Sequence, residues 1–318
     1  MPVQRPSRAS GRTVAVVVTH DRLDLLRASL SAVAASTSRP DVVVVVDNAS
    51  SDGTAAAVAA EHPGVDLVAL RRNTGGAGGF SVGLERALDV HAADHVWLMD
   101  DDTVPRPDAL DQLLDAWSTR PGAAPALVAS QVVWTDGRPH PMNTPRPMPF
   151  ASAADRAAAQ AVGCVPIRSA SFVSVLLEAA AVRQAGLPVA DYFLWNDDFE
   201  FTTRLLRGRA GLLCPRSVVE HRTRLFGDSA ADPGPRFYFE VRNKIWLFTR
   251  SPGLRPAERV LYGGSTAARW VRTVHASSDR PVLLAAAGRG VRDGLRAGPR
   301  PTAEVLAGAG AERPAARR

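Results

Sequence analysis

Three consecutive acids, Asp100-Asp101-Asp102, close an apolar run and hold two carboxylates one residue apart. Acids at that spacing can share a hard divalent cation, Mn²⁺ or Mg²⁺, that bridges the oxygens of a diphosphate, a task for which amides are unsuited. The plain alternative is a solvated turn ahead of Pro105-Arg106-Pro107, although adjacent acids repel one another unless something positive sits among them. Asp47 also ends an apolar run, where its carboxylate can accept the imide N–H of a uracil or thymine ring or simply form a turn. A second acidic group, Trp195-Asn196-Asp197-Asp198-Phe199-Glu200, stands just before an amphipathic stretch. A carboxylate at a helix N-terminus is held ionised by the dipole and free N–H groups, which suits a general base and equally suits a cap. The tryptophan and the three acids within four positions exceed what a cap needs. His221 follows the apolar run Leu212 to Glu220 and offers either a metal ligand or an ordinary histidine.

Between these acids lies Arg71-Arg72-Asn73-Thr74-Gly75-Gly76-Ala77-Gly78-Gly79-Phe80, cations joined to glycines that let backbone approach a phosphate or sugar closely, or that serve as a hinge. It is neither a dinucleotide fingerprint, which would open the helix after the first strand, nor a P-loop, which needs Gly-Lys-Ser/Thr.

The elements that must position these residues read as strands alternating with helices. Thr13 to Thr19, Val42 to Val46, Val65 to Leu70 and His95 to Met99 are strands, with helices over Asp24 to Ala35 and Gly79 to Asp89. That alternation predicts an α/β fold with a mostly parallel central sheet and flanking helices. Ligands of such sheets gather at the carboxyl ends of the strands, where Thr19-His20-Asp21, Asp47-Asn48, Arg71-Arg72-Asn73 and the triple aspartate all fall. Beyond residue 120 the rhythm changes to strands Ala126 to Trp134 and Ser171 to Leu177 around a Pro-rich loop, Pro139 to Pro149. A helix Phe199 to Arg207, the strand Leu212 to Glu220 and helices Arg236 to Thr249 and Pro256 to Val274 follow.

The composition, 46% hydrophobic and 22% charged in 318 residues, is that of a globular protein with unfolded ends, residues 1–12 and 298–318. The net charge of +6 admits nucleic acid, anionic lipid or phosphorylated small molecules as partners. Two cysteines, Cys164 and Cys214, make neither a disulfide framework nor a Cys-rich zinc site and fit a reducing cytoplasm. The apolar run Val14 to Val18 is too short for a signal peptide, and no stretch is long enough to span a bilayer. Pro281 to Gly298 alternates apolar residues with arginines, consistent with peripheral contact with an anionic membrane face or with an ordinary packed helix.

Taken in order, VVVVTHDR, VVDNASSDGT, RRNTGGAGGF, WLMDDDTVP and WNDDFEFTTRLL followed by a histidine resemble family 2 glycosyltransferases of GT-A fold. The resemblance covers roughly residues 13 to 250 and is nearest to bacterial galactofuranosyltransferases, with rhamnosyltransferases as neighbours. It implies an inverting, metal-dependent transfer from a UDP-sugar (or dTDP-sugar) donor to a hydroxyl of a glycan or polyprenyl-linked acceptor. Asp100, Asp102 and His221 match the metal set. Thr19, Asp47, Arg71, Asn73, Gly75, Gly76, Gly78, Gly79 and Asp101 match the nucleotide-sugar site, with Asp47 on the uracil. Asp198 matches the catalytic base, with Trp195, Asp197 and Glu200 lining the acceptor side. Tyr238, Arg242 and Asn243 are similar to a Y-x-x-x-R-N segment that follows the catalytic region.

The resemblance implies a catalytic domain over 13–250 and a helical extension over 251–297. Polymerising galactofuranosyltransferases carry further domains, so the chain is expected to act as a short enzyme adding one or two residues. A sugar nucleotidyltransferase would show a Gly-rich basic loop after the first strand, which Thr19-His20-Asp21-Arg22 is not. A binding module, for nucleic acid or nucleotide sugar, would not need the second carboxylate site. No nucleic-acid partner is expected.

Overall fold

The structure, a computed structural model, describes residues 11–224, 226 and 232–310. The run Thr13–Thr19 forms strand β1, buried along its whole length. Val14, Val16 and Val18 belong to one apolar layer, and Ala15 and Val17 to another on the opposite face. A strand buried on both faces must be covered by helices on both. Helix α1 (Leu23–Ala34) lies on one side and α3 (Gly75–Glu85) on the other. Strands β2 (Val42–Asp47), β3 (Asp66–Ala69) and β4 (His95–Asp100) run parallel to β1 in the order β3-β2-β1-β4, with α2 (Thr54–Glu61) between β2 and β3. The register sets Thr19 opposite Asp47 and Val18 opposite Asp100, so the polar ends of the central strands finish level on one edge.

The second half extends the sheet with mixed polarity. After β5 (Thr103–Pro105) and α4 (Ala109–Thr119) come β6 (Leu127–Val133), β7 (Arg146–Pro147), α5 (Ala153–Gln160), β8 (Val165–Ser169) and β9 (Ser174–Glu178). They are followed by α6 (Ala179–Ala185), α7 (Asp197–Leu205) and β10 (Gly211–His221). The path continues β4-β9-β6-β10-β8-β7, with β9 antiparallel to both neighbours and β10 parallel to β6. Strand β5 pairs antiparallel with β10, His221 opposite Thr103, and this pairing carries the histidine to the triple aspartate. The Pro-rich loop thus contains a short strand, and α5 and β8 had no clear apolar period to announce them.

Two expectations are corrected. The helix after β3 begins at Gly75, not Gly79, and ends in a π-helical turn over Arg86–Val90. The glycines are therefore packing residues. A Cβ at Gly79 would lie 2.5 Å from Val18 Cγ1 and one at Gly83 2.3 Å from Val16 Cγ1, so α3 sits against β1 at a distance only glycine allows. The chain end from Gly298, expected to be unfolded, continues into α11 (Thr302–Leu306) and is described to residue 310. Arg300 pairs with Asp191 at 2.8 Å, Thr302 Oγ1 donates to the Pro188 carbonyl, and Arg71 and Arg72 donate to the carbonyls of Gly310 and Val305. At the other end Arg12 N–H donates to Asp94 Oδ2 at 2.6 Å, while residues 1–10 and 311–318 lie outside the described residues.

Helices α8 (Phe237–Thr249), α9 (Pro256–Ala276) and α10 (Arg280–Arg296) complete the chain. Leu283, Ala286, Gly290 and Gly294 are buried on one face of α10, against Phe237, Val241 and Ile245 of α8. That is the packed-helix reading of this segment, with Leu284, Val291 and Leu295 facing outward. No described helix is long and apolar enough to cross a membrane.

Candidate active site

Strand β4 delivers the acids and β10 the histidine. Ligand atoms of Asp100, Asp102 and His221 lie within 4.8 Å of one another. Asp102 Oδ1 is 2.9 Å from His221 Nε2, and both residues are buried. Neighbouring ligands of an octahedral Mg²⁺ at about 2.0–2.1 Å are roughly 3 Å apart, so the two atoms already have the spacing of a metal's coordination shell. Asp102 Oδ1 makes no hydrogen bond of good geometry, which leaves a buried carboxylate oxygen turned to the site. His221 Nδ1 donates to Asn143 Oδ1 at 2.8 Å, fixing the tautomer that leaves the Nε2 lone pair free to ligate. The donor set of two carboxylates and an imidazole can hold a divalent cation.

Electrostatics point the same way. Burial, with Asp102 alongside, pushes the Asp100 carboxyl up to about 7, and burial with the same neighbour pushes Asp101 up to about 6. Burial would raise Asp102 as well, but the His221 imidazole 2.9 Å away and its charge hold it below the carboxylate range. Burial would lower His221, and Asp102 reverses that to a net rise. Arg22 Nη1 reaches Asp102 Oδ2 at 2.8 Å and Asp101 Oδ1 at 3.4 Å, yet one guanidinium does not balance three acids.

The second carboxylate group heads α7. Asp198 is half-buried there, its Oδ1 accepting the Phe199 N–H at 2.6 Å. Burial raises its pKa, opposed by that hydrogen bond and by Lys244 and Arg146. Asp197 is buried and raised well above its ordinary value, first by burial, then by Asp198, and the Asp100 charge also acts on it. The loop before α7 is strained: Phe193, Trp195 and Asn196 have φ of 62°, 63° and 66°. Asn243 holds it by donating from Nδ2 to the carbonyls of Tyr192, Leu194 and Trp195, each at 2.9 Å. Arg242 donates to the carbonyls of Asp191 and Tyr192. The loop backbone rests on the head of α3, where a Cβ at Gly75 would fall 2.0 Å from Phe193 O.

Residues 14–176 match the family described as Glycosyl transferase family 2. The chain belongs to that family. It is 30% identical over 271 residues to galactofuranosyltransferase GlfT1 of Mycolicibacterium smegmatis, covering 78% of this chain and 87% of that one. To GlfT1 of Mycobacterium tuberculosis (strain H37Rv) it is 32% identical over 258 residues, covering 76% and 83%. Among solved structures, S. aureus TarS 1–349 in complex with UDP-GlcNAc superposes with a TM-score of 0.59 at 16% identity, over 89% of this chain and 81% of that one. The mannosyltransferase PcManGT of Pyrobaculum calidifontis, in complex with GDP-Man and Mn²⁺, gives 0.53 at 20% identity, over 93% and 79%. The fold is GT-A, and the family makes the protein a glycosyltransferase.

Within this family-2 frame the expected residues divide. Asp100, Asp102 and His221 converge, and the Asp100 charge reaches Asp197. Thr19 and Asp101 meet, but with each other: Thr19 Oγ1 donates to Asp101 Oδ2 at 2.8 Å. Asp47 is buried at the end of β2, one oxygen accepting the Ser50 N–H. Trp195 lies before α7 with the Arg236 guanidinium over its ring.

Others are corrected. Glu200, expected on the acceptor side, turns into the core, where it accepts from Arg204 and from Ser251 Oγ at 2.7 Å. Gly78 and Gly79 face Thr74 and Val18; only Gly76 of the expected four has open space where a Cβ would be. Arg71 is engaged by the chain end, and Asn73 Oδ1 accepts the Gly75 N–H at 2.7 Å.

Three functional-site residues escaped the sequence reading of roles. Asn48 clamps the start of α3, accepting from Thr74 N–H and donating to Gly75 O. Asn143, in the Pro-rich loop, orients His221, and Arg22 neutralises part of the triple aspartate. Asn48 gave a signal by closing a central strand beside Asp47, and Arg22 by being a cation three residues past the end of another; Asn143 gave none.

Proposed function

We propose that the protein transfers galactofuranose from UDP-galactofuranose, with inversion, to a hydroxyl of a glycan or polyprenyl-linked acceptor. The observation that carries the reading is the convergence of the Asp100, Asp102 and His221 ligand atoms, with the Asp100 charge reaching Asp197 at the head of α7. The identity to two galactofuranosyltransferases supports the choice of sugar.

Asp100, Asp102 and His221 would hold Mn²⁺ or Mg²⁺. The bound cation supplies Lewis acidity that steadies negative charge on the leaving diphosphate. Asp47 sits at the strand end where a uracil imide would be recognised, and Gly76 leaves room beside the head of α3 for the donor. Asp198 takes the proton from the acceptor hydroxyl as its oxygen bonds to the anomeric carbon and the bond from that carbon to the UDP oxygen breaks. Burial raises its affinity for a proton above that of an ordinary carboxylate, which suits a general base. Asn243 and Arg242 fix the loop that aims Asp198 and Trp195.

A panel of UDP- and dTDP-sugars with Mn²⁺, read by slow donor hydrolysis and by protection against heat, tests the assignment. UDP-galactofuranose should protect and hydrolyse. Preference for dTDP-rhamnose would move the protein to rhamnosyl transfer, and protection by no nucleotide sugar would overturn the reading.

A further inference from the structure

A cavity of about 170 Å³ is lined by Arg146, Phe199, Lys244, Tyr262, Thr266 and Arg272 among others, Phe199 standing in the first turn of α7. Lys244, the chain's single lysine, is 5% exposed and lines this cavity without a hydrogen bond or ion pair among the described residues. Its ammonium rests 4.6 Å from the Phe199 ring centre. Arg146 is likewise without a carboxylate partner and lies over the rings of Phe199 and Tyr262 at 5.4 and 5.7 Å. Among the described residues Arg272 finds only a carbonyl of its own helix, at 3.4 Å. Arg269, also at the rim, is taken by Glu240 at 2.7 Å, and Asn196 and Trp270 donate to the same carboxylate. The acids that reach these three cations are Asp198 and Glu240, and Glu240 is already paired with Arg269, so positive charge is in excess at the cavity, and a buried ammonium without a direct partner is costly unless something anionic joins it.

The position says what that anion belongs to. Phe199, the cavity wall, follows Asp198 directly, and the charges of Lys244 and Arg146 both act on Asp198. The cavity and the triple aspartate lie on different elements: α7, α8, α9 and β7 build the first, β4 and β10 the second. An anion in the cavity is therefore held by residues next to the proposed base and by none of Asp100, Asp102 and His221.

We propose that this cavity binds a phosphate or diphosphate group carried by the acceptor, and so orients the acceptor hydroxyl toward Asp198. The proposal rests on the glycosyltransfer reading above and names the acceptor class it implies, a phosphate-bearing glycan. Arginines fork onto phosphate oxygens, Lys244 supplies a point charge, and Phe199 and Tyr262 exclude water from the pair.

The test uses the full chain with EDTA, so that the metal-dependent donor site takes no diphosphate, and titrates inorganic pyrophosphate by calorimetry. Saturable binding is expected, weakened tenfold or more in the double variant Arg146→Gln/Arg272→Gln, whose positions are exposed and leave the core intact. Lys244→Met should weaken it further. Absence of pyrophosphate binding, or equal binding by the double variant, overturns the proposal. Geranyl diphosphate and glucose 1-phosphate as competitors separate the sources: tighter binding of the first assigns a prenyl diphosphate carrier, and tighter binding of the second a sugar phosphate. Mn²⁺-dependent UDP binding is measured in parallel. Its loss in the unaltered protein would remove the donor reading, whatever the pyrophosphate result, so the two failures are distinguishable.

Discussion

At the scale of single residues, Asp198 and Asp102 do different work although both are acids in one site. Asp198→Asn keeps size and most hydrogen bonding but removes the basicity, so kcat should fall by about 10²–10⁴ with Mn²⁺-dependent UDP affinity nearly unchanged. Near-normal turnover would place the base elsewhere. Asp102→Ala removes an oxygen 2.9 Å from His221 Nε2 and should abolish that UDP binding; equal affinity in EDTA and in Mn²⁺ for the unaltered protein would end the metal assignment. Asp197, Glu200, Phe201 and Arg204 recur at spacings of three and four along α7, and the first three are buried. Asp198 lies one position off that stripe and is half-buried. The acids were legible as a cluster, but Thr202 and Leu205, one and two turns along Asp198's own face, are also buried, so the partial exposure of Asp198 comes from its place in the first turn of α7, and only packing shows that Glu200 turns inward. Asp100, Asp102 and His221 were legible because strand ends are visible in sequence. Asn143 was not, because nothing in a Pro-rich loop reveals which side chain reaches a histidine on a distant strand.

At the scale of elements, the site depends on a loop whose backbone is unfavourable by itself. Phe193, Trp195 and Asn196 lie in the left-handed region, and one buried amide, that of Asn243 on α8, satisfies three of the carbonyls around them. Asn243→Ala leaves those carbonyls without their partner, a cost of about 1–3 kcal/mol. The loop should relax, lowering both the melting temperature and kcat while leaving Mn²⁺-dependent UDP affinity close to normal. A variant that melts early yet turns over normally would show that the strain has no part in placing Asp198. The glycine segment marks the limit of sequence reading at this scale. Four glycines in five positions suggest a loop by propensity, yet they form the first turns of α3 because the sheet beneath leaves no space for a Cβ at Gly79. Burial against β1 outweighs the intrinsic preference, and only the tertiary neighbour reveals it.

At the scale of the whole molecule, stability and pH are linked through the triple aspartate. Asp100 and Asp101 ionise at about 7 and about 6 in the folded protein, against an ordinary 3.8. Between pH ~4 and ~7 the folded state therefore binds more protons than the unfolded one, and stability falls as pH rises through that window. His221, raised above 6.5, contributes stability that is present at low pH and lost as pH rises through its folded value, so it acts in the same direction. Asp102, lowered, contributes fully above 3.8 and is constant across the window. Lys244, lowered to about 8 by burial, makes the folded state bind fewer protons only between about 8 and 10.5, outside it. A divalent cation replaces the protons it displaces and binds only the folded arrangement, so its stabilisation grows as the acids ionise. Melting temperatures in EDTA should drop from pH 5 to pH 8, and in excess Mn²⁺ the drop should flatten or reverse. Parallel pH profiles with and without Mn²⁺ would mean that the acids are neutralised by something other than a metal, with Arg22 the first side chain to examine.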